Sequence, residues 1–194
     1  MKFIINREVL LKSISHAQSI VERRNTIPIL ANVLLRAEEN GLVEITATDM
    51  DIGIIEKVPA DVSQAGAVTV SAHTLFDIVR KLEDGAQIEM GGASESGQIE
   101  LRSGRSTLKL STLPSEDFPT VSQEDLPTEF SMSAGLLRSL IDRTRFAIST
   151  EETRYYLNGI YLHATAGSKG QVLRSVATDG HRLALMEIPL PTNA

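Results

Sequence analysis

The stretch Ala177-Thr178-Asp179-Gly180-His181-Arg182-Leu183-Ala184 has a weaker echo 130 positions upstream, in Ala47-Thr48-Asp49-Met50-Asp51-Ile52-Gly53-Ile54. Leu157-Asn158-Gly159-Ile160-Tyr161-Leu162-His163-Ala164 lines up with Leu30-Ala31-Asn32-Val33-Leu34-Leu35-Arg36-Ala37 at an offset of 127, and Leu136-Leu137 with Leu10-Leu11 at 126. Three co-linear pairs at nearly one spacing mark an internal repeat. A repeat decides architecture before local detail does, because each unit relies on neighbours to cover what it cannot bury alone. With a period near 127 in a chain of 194 residues, the second copy stops near its middle. Residues 128–194 are therefore expected to be half a unit, leaving a sheet edge and an apolar face for something else to complete.

With 42% apolar residues, the chain can bury one domain of average size and part of another. It has no apolar run long enough to cross a bilayer, and Met1-Lys2-Phe3-Ile4-Ile5-Asn6-Arg7 lacks the long apolar core of a signal peptide, so a cytoplasmic protein with no membrane partner is expected. The absence of cysteine excludes disulfides, thiolate metal sites and cysteine nucleophiles. A net charge of −6 argues against nucleic-acid binding by the whole surface but leaves room for a local basic face.

Residues 7–22 place Leu10, Ile14, Ala17 and Val21 at spacings of three and four, the stripe of an amphipathic helix. A second helix begins at Ser71, carries Leu75, Phe76, Val79 and Leu82 inward, and ends at Asp84-Gly85. A third follows Ser133 and sets Leu136, Leu137, Leu140, Ile141 and Ile148 on one side. All three carry basic residues off the apolar stripe. Strand character marks 29–37, 42–48, 53–58, 67–70, 87–90, 98–102 and 107–110, then 129–132, 159–164, 172–177 and 183–188. Turns are expected at Glu39-Asn40-Gly41, Gly91-Gly92-Ala93, Ser103-Gly104-Arg105 and Gly167-Ser168-Lys169-Gly170. A helix followed by several closely connected strands, repeated, reads as an α+β fold with antiparallel sheets. Residues 113–127, with three prolines and four carboxylates, form the boundary. The expected organisation is a first domain over 1–120 on which Phe118 is an anchor, a linker over 121–127, and an incomplete second domain over 128–194.

Asp49, Asp51, Asp179, His181 and Arg182 are the nominees for an enzyme, with Asp179 and His181 able to hold a metal or form a base and its orienting group. The same four residues 179–182 read better as a tight turn in which Gly180 supplies a positive φ, since Asp49 recurs at the equivalent place without a histidine. Phosphate-loop, nucleophile-elbow and metalloprotease motifs are absent, and the four histidines at 16, 73, 163 and 181 are scattered, so no metal or cofactor is expected. Arg154-Tyr155-Tyr156, at the expected start of a strand, suits stacking on bases or packing of a peptide; the alternative is that the two tyrosines simply point to opposite faces of a sheet.

Arg154-Tyr155-Tyr156-Leu157-Asn158-Gly159, followed by Val176-Ala177-Thr178-Asp179-Gly180-His181-Arg182-Leu183-Ala184, closely resembles the bacterial DNA sliding clamp, the β subunit of DNA polymerase III. Met1-Lys2-Phe3, Ile27-Pro28-Ile29-Leu30, Arg102-Ser103-Gly104-Arg105-Ser106 and Leu110-Ser111-Thr112-Leu113-Pro114 match in the same order. The resemblance implies the clamp fold, with helices on one concave face, in a ring of two head-to-tail chains of three similar domains each, and double-stranded DNA through the hole. It implies a non-catalytic processivity factor, polymerisation belonging only to the holoenzyme. Its partners would be the DNA polymerase III α subunit, the clamp loader, other DNA polymerases, and mismatch-repair and ligase proteins. Basic helix faces would attract phosphates without fixing register, the candidates being Lys12, Arg23, Arg24, Arg80, Lys81, Arg138 and Arg143, of which Arg24 has family support at its own position.

Arg154, Tyr155 and Tyr156 match a contact for template DNA, while Glu151 stands where relatives carry a neutral glutamine. Leu157, Thr178, Gly180, His181, Arg182 and Leu183 match a pocket for short apolar peptides, whose other wall comes from residues beyond 194. Arg105, Leu108 and Leu110 match the edge strand that closes the ring, with Thr107 replacing a basic residue of relatives. The alternatives from other classes are a small hydrolase using Asp179 and His181, and a protein-binding adaptor that never encircles DNA.

Overall fold

The computed structural model describes residues 1–22, 26–92, 97–119, 128–168 and 170–194, so Arg23, Arg24, the 121–127 linker and parts of two expected turns lie outside the described residues. The chain divides into two compact units, Met1–Ser122 and Gln123–Ala194.

The first unit opens with a strand the sequence reading did not single out, β1 (Lys2–Asn6), which buries Phe3 and Ile5 and turns Lys2 and Ile4 outward. It pairs antiparallel with β5 (Asp61–Gln64), also unanticipated, and with β7 (Gln87–Gly91). Adding β8 (Gln98–Ser103) and β9 (Ser106–Ser111) gives a five-stranded antiparallel sheet in the order β5-β1-β7-β8-β9. A second antiparallel sheet runs β4 (Gly53–Pro59), β3 (Leu42–Thr48), β2 (Asn32–Ala37), β6 (Gly66–Ser71). The strand expected from residue 29 starts later, because Pro28 opens a short 3-10 turn, Pro28–Ala31. Proline suits a first helical position, where its missing N–H is no loss.

Helix α1 (Arg7–Ile20) starts where the Asn6 side chain accepts from Glu8 N at 2.9 Å, and buries Leu10, Ile14 and Ala17 completely. Helix α2 (Ala72–Lys81) is capped by Ser71 and buries Leu75 and Val79. The two helices lie side by side. Arg7 fastens them: Nε donates at 3.2 Å to Val79 O, which also accepts from Leu82 N, and Nη2 donates to Arg80 O at 3.0 Å, both carbonyls in the last turn of α2. One continuous core joins the buried faces of both helices and both sheets.

After β9 the chain is strapped to β6. Thr69, fully buried, donates from its hydroxyl to Leu113 O at 2.8 Å and accepts from Leu113 N at 3.0 Å and Asn32 Nδ2 at 3.1 Å. Phe118, only 7% exposed, then lines a cavity on the second sheet with Leu34, Thr46 and Ile55, the anchoring anticipated for it.

The second unit holds α3 (Ala134–Asp142), begun by Ser133 accepting from Leu136 N, and a three-stranded antiparallel sheet of β10 (Tyr161–Gly167), β11 (Gly170–Thr178) and β12 (Leu183–Pro189). Two expectations fail here. Residues 129–132 form no strand. The inward stripe of the third helix reduces to Leu140, which packs on Leu173 and Ile188, whereas Leu136, Leu137 and Ile141 are 45%, 39% and 41% exposed; Ile148 lies beyond the helix, after a 3-10 turn at Arg145–Ala147. Within this unit only the row facing β11 and β12 is covered.

What fixes α3 to the sheet is a buried knot of hydroxyls. Thr144 Oγ1 donates to Leu140 O at 2.7 Å and lies 2.8 Å from Ser175 Oγ, which also donates to Leu140 O at 3.1 Å, and both side chains are fully buried. Ser175→Ala removes one buried hydrogen bond while Thr144 keeps its own to Leu140 O, so it is expected to cost about 0.5–1.5 kcal/mol. All three tyrosines fall in this unit and tryptophan is absent. Tyrosine fluorescence during urea unfolding therefore reads the second unit alone, and its midpoint should fall.

Candidate functional site

The duplicated motif is a turn built twice by the same hydrogen bonds. In the second unit Thr178 Oγ1 donates to Arg182 O at 2.7 Å and accepts from Gly180 N at 3.1 Å, while Asp179 Oδ1 accepts from His181 N at 3.0 Å and Arg182 N at 2.9 Å. In the first, Thr48 Oγ1 donates to Ile52 O at 2.8 Å and accepts from Met50 N at 3.0 Å, while Asp49 Oδ1 accepts from Asp51 N at 3.0 Å and Ile52 N at 2.7 Å. Short side chains that replace backbone partners let the chain reverse between strands without stranding its amides. The central residue has positive φ in both, 88° at Gly180 and 83° at Met50. A methionine held there is uncommon and carries a conformational cost that glycine avoids.

This cage decides how Asp179 is used. Its carboxylate is held down to about 2, first by the backbone amides of Arg182 and His181 and then by the Arg182 guanidinium, whose Nε stands 2.9 Å from Oδ2. A carboxylate so engaged is a poor general base at neutral pH. Its partners are Arg182 and two amides rather than the His181 imidazole, which has no partner among the described residues. The dyad required by a hydrolase is not formed.

The tyrosine segment is closed at its base. Ser149 N donates to Leu157 O at 3.0 Å, Glu151 N to Ser149 Oγ at 3.1 Å and Asn158 N to Tyr155 O at 3.1 Å. Oriented with its nitrogen toward the carbonyls, the Asn158 amide donates to Ser149 O at 2.9 Å and Arg154 O at 3.3 Å. Residues Glu152–Leu157 are consecutive 3-10 turns, so the tyrosines do not begin a strand as expected; β10 starts at Tyr161. Tyr155 and Tyr156 are instead both outward, 79% and 72% exposed, with rings edge to face at 5.8 Å. Neither plays the in-and-out part of a sheet residue.

Arg154 reaches from this segment to the turn, donating from Nη1 to Asp179 O at 3.3 Å and pairing through Nε with Glu151 Oε2 at 3.0 Å. That contact brings the segment holding half-buried Leu157 to the turn carrying Thr178, Gly180, His181, Arg182 and Leu183, of which Leu183 is 64% exposed. The Thr178 hydroxyl is already spent on the turn. Asp179, placed in a tight turn by the sequence, is that turn's keystone, and one contributor goes unmarked there: Phe146, 59% exposed with the Arg182 guanidinium 5.8 Å over its ring. The repeat contained the signal for Asp179, since Asp49 shares its position; nothing marked Phe146.

The basic helix residues differ in availability. Arg80 pairs with Asp77 at 2.9 Å and covers the Phe76 ring at 5.5 Å. Arg138 and Arg145 share Asp142 at 3.2 and 3.3 Å. Exposed Lys81 and Arg143 make no ion pair among the described residues. β9 is an edge strand of its sheet, with Arg105 in the turn before it. Leu110 lies opposite Ile99 on the core side and is 7% exposed; Leu108, on the same face but nearer the hairpin end, is 38% exposed.

Residues 1–122 match the family model described as DNA polymerase III beta subunit, N-terminal domain, and residues 131–194 the model of its central domain. The chain belongs to the DNA polymerase III beta subunit family. It is 50% identical over 194 residues to the Beta sliding clamp of Caulobacter vibrioides, covering all of this chain and 52% of that protein. A solved structure titled Caulobacter crescentus pol III beta superposes with a TM-score of 0.94 at 49% identity, over 100% of this chain and 52% of that one. A sliding clamp from Bartonella birtlesii, solved bound to griselimycin, gives 0.92 at 44% identity over 100% and 51%. The chain thus spans about half the length of the curated relatives it matches.

Two outcomes follow from the turn. Gly180→Ala should destabilise the second unit by about 1–2 kcal/mol, the usual penalty for a side chain in the left-handed region, read as a lower urea midpoint. The Asp179 pKa is depressed on folding, so the stability it lends is complete above the unfolded carboxylate value of about 4 and is lost as pH falls toward about 2. The His181 and Arg182 amide resonances should move across that window.

Proposed function

We propose that this chain forms part of a sliding clamp, a non-catalytic ring that encircles double-stranded DNA and tethers replication and repair proteins to it. The reading is carried by one observation: the second unit holds two outward tyrosines on a closed loop, tied by Arg154 to a caged turn with an exposed apolar and basic rim. Aromatic faces stack on bases of any sequence, which suits a protein that must move along DNA. A turn with Leu183 and half-buried Leu157 offers apolar contact to a short peptide, with His181 and Arg182 to direct it.

In this reading residues 1–120 and 128–194 are the first clamp domain and part of the middle one, joined by 121–127. Tyr155 and Tyr156 touch template DNA, framed by the Glu151–Arg154 pair. Arg24, Lys81 and Arg143, with the partly neutralised Arg80 and Arg138, supply diffuse attraction to phosphates. Leu157, Thr178, Gly180, His181, Arg182 and Leu183 form one wall of a peptide pocket for the DNA polymerase III α subunit, the clamp loader, other polymerases, and mismatch-repair and ligase proteins. The β9 edge, with Arg105 in its turn, Leu108 part-exposed near the hairpin end and Leu110 contributing backbone, takes part in head-to-tail closure. Among the described residues no helix is long and apolar enough to cross a membrane.

The test is topological. A full ring containing these residues, loaded on nicked circular DNA, should remain bound through gel filtration and be lost once the circle is linearised. Retention on linear DNA with open ends would instead indicate an adaptor held by ordinary contacts.

A further inference from the structure

Arg154 stands beside the two tyrosines, yet its contacts lead away from them. Nε is taken by Glu151 at 3.0 Å, and Nη1 reaches the carbonyl of Asp179 at 3.3 Å. The backbone breaks helical geometry at Arg154 itself, with φ −109° and ψ 46°. On the other side of the contact, a Cβ added at Gly180 would lie 3.3 Å from Nη1, so the arginine occupies room that the missing side chain leaves.

The repeat supplies an internal comparison. The first unit builds the same turn with the same Thr–Asp bonds, but Met50 stands in the place of Gly180, and at the 127-residue offset Ile27 stands in the place of Arg154. Among the described residues no arginine contacts this first turn. In the second unit a strut joins the turn to the 151–157 segment, made from an arginine and a glycine that meet.

We propose that Arg154 is a positioning residue of the second turn. It holds the Asp179–Gly180 peptide group against the tyrosine segment, so that Leu157 on one side and His181, Arg182 and Leu183 on the other keep a fixed spacing before any peptide arrives. This rests on the reading of that turn as a peptide rim. The planar guanidinium serves two acceptors at once, which a lysine ammonium does not do in the same geometry. Its benefit to a ligand is preorganisation rather than a new contact.

Amide hydrogen exchange on this chain tests the proposal. In Arg154→Ala the amides of Gly180, His181 and Arg182 should exchange roughly three- to tenfold faster, the worth of one lost hydrogen bond, while those at the centre of β11 keep their protection. Arg154→Lys should show the same loss. Unchanged exchange at the turn in Arg154→Ala, or full recovery by lysine, would overturn the strut. A titration with acetylated Leu-Leu-Phe separates the underlying reading. If the peptide shifts the 180–183 amides of the unaltered chain, and binds more weakly to Arg154→Ala, both ideas stand. If it moves none of them while the exchange result holds, the strut stands and the peptide reading falls.

Discussion

A threonine and an aspartate that close a turn over the next residues are the interaction on which the rest of the second unit's surface depends. The cage fixes where β11 ends and β12 begins, and with that the rim formed by Gly180, His181, Arg182 and Leu183. It also makes Asp179 a poor base, because two amides and a guanidinium stabilise its ionised form and lower its affinity for a substrate proton. The same bonds that make a binding rim thus weigh against a hydrolytic centre at this place.

Duplication allowed the fold to be read where composition was silent. The Thr-Asp echo at 48 and 178 corresponds to a shared set of four hydrogen bonds, so the alignment of two weakly similar octets had a structural cause. α1 was legible because three-and-four spacing over fourteen residues leaves few other arrangements. β1 and β5 were not: one offers only two inward residues, and the other, Asp-Val-Ser-Gln, is a mostly polar edge whose pairing comes entirely from its neighbour. The row Leu136, Leu137 and Ile141 carried a true helical signal, yet periodicity says nothing about which part of an apolar face the same unit will cover.

The site was legible in residue type more than in placement. The tyrosines were singled out, but their expected strand is a series of 3-10 turns, and those turns leave both rings outside instead of one. Alternation along β9 hid Leu110 on the core side, which only the pairing partner Ile99 discloses. Phe146 gave no sign in the sequence, since a single aromatic among apolar residues usually means core, and here Arg182 lies over it at the surface.

The strap formed by Thr69 and Leu113 has a mechanical meaning. β9 is an edge strand held on one side only, and a pull on the chain beyond residue 119 would peel it from β8 one hydrogen bond at a time if nothing intervened. Instead the load meets the buried hydroxyl of Thr69 and the wedged ring of Phe118 first, two attachments to the other sheet that must fail before β9 feels any tension. The edge is shielded from forces arriving along its own chain.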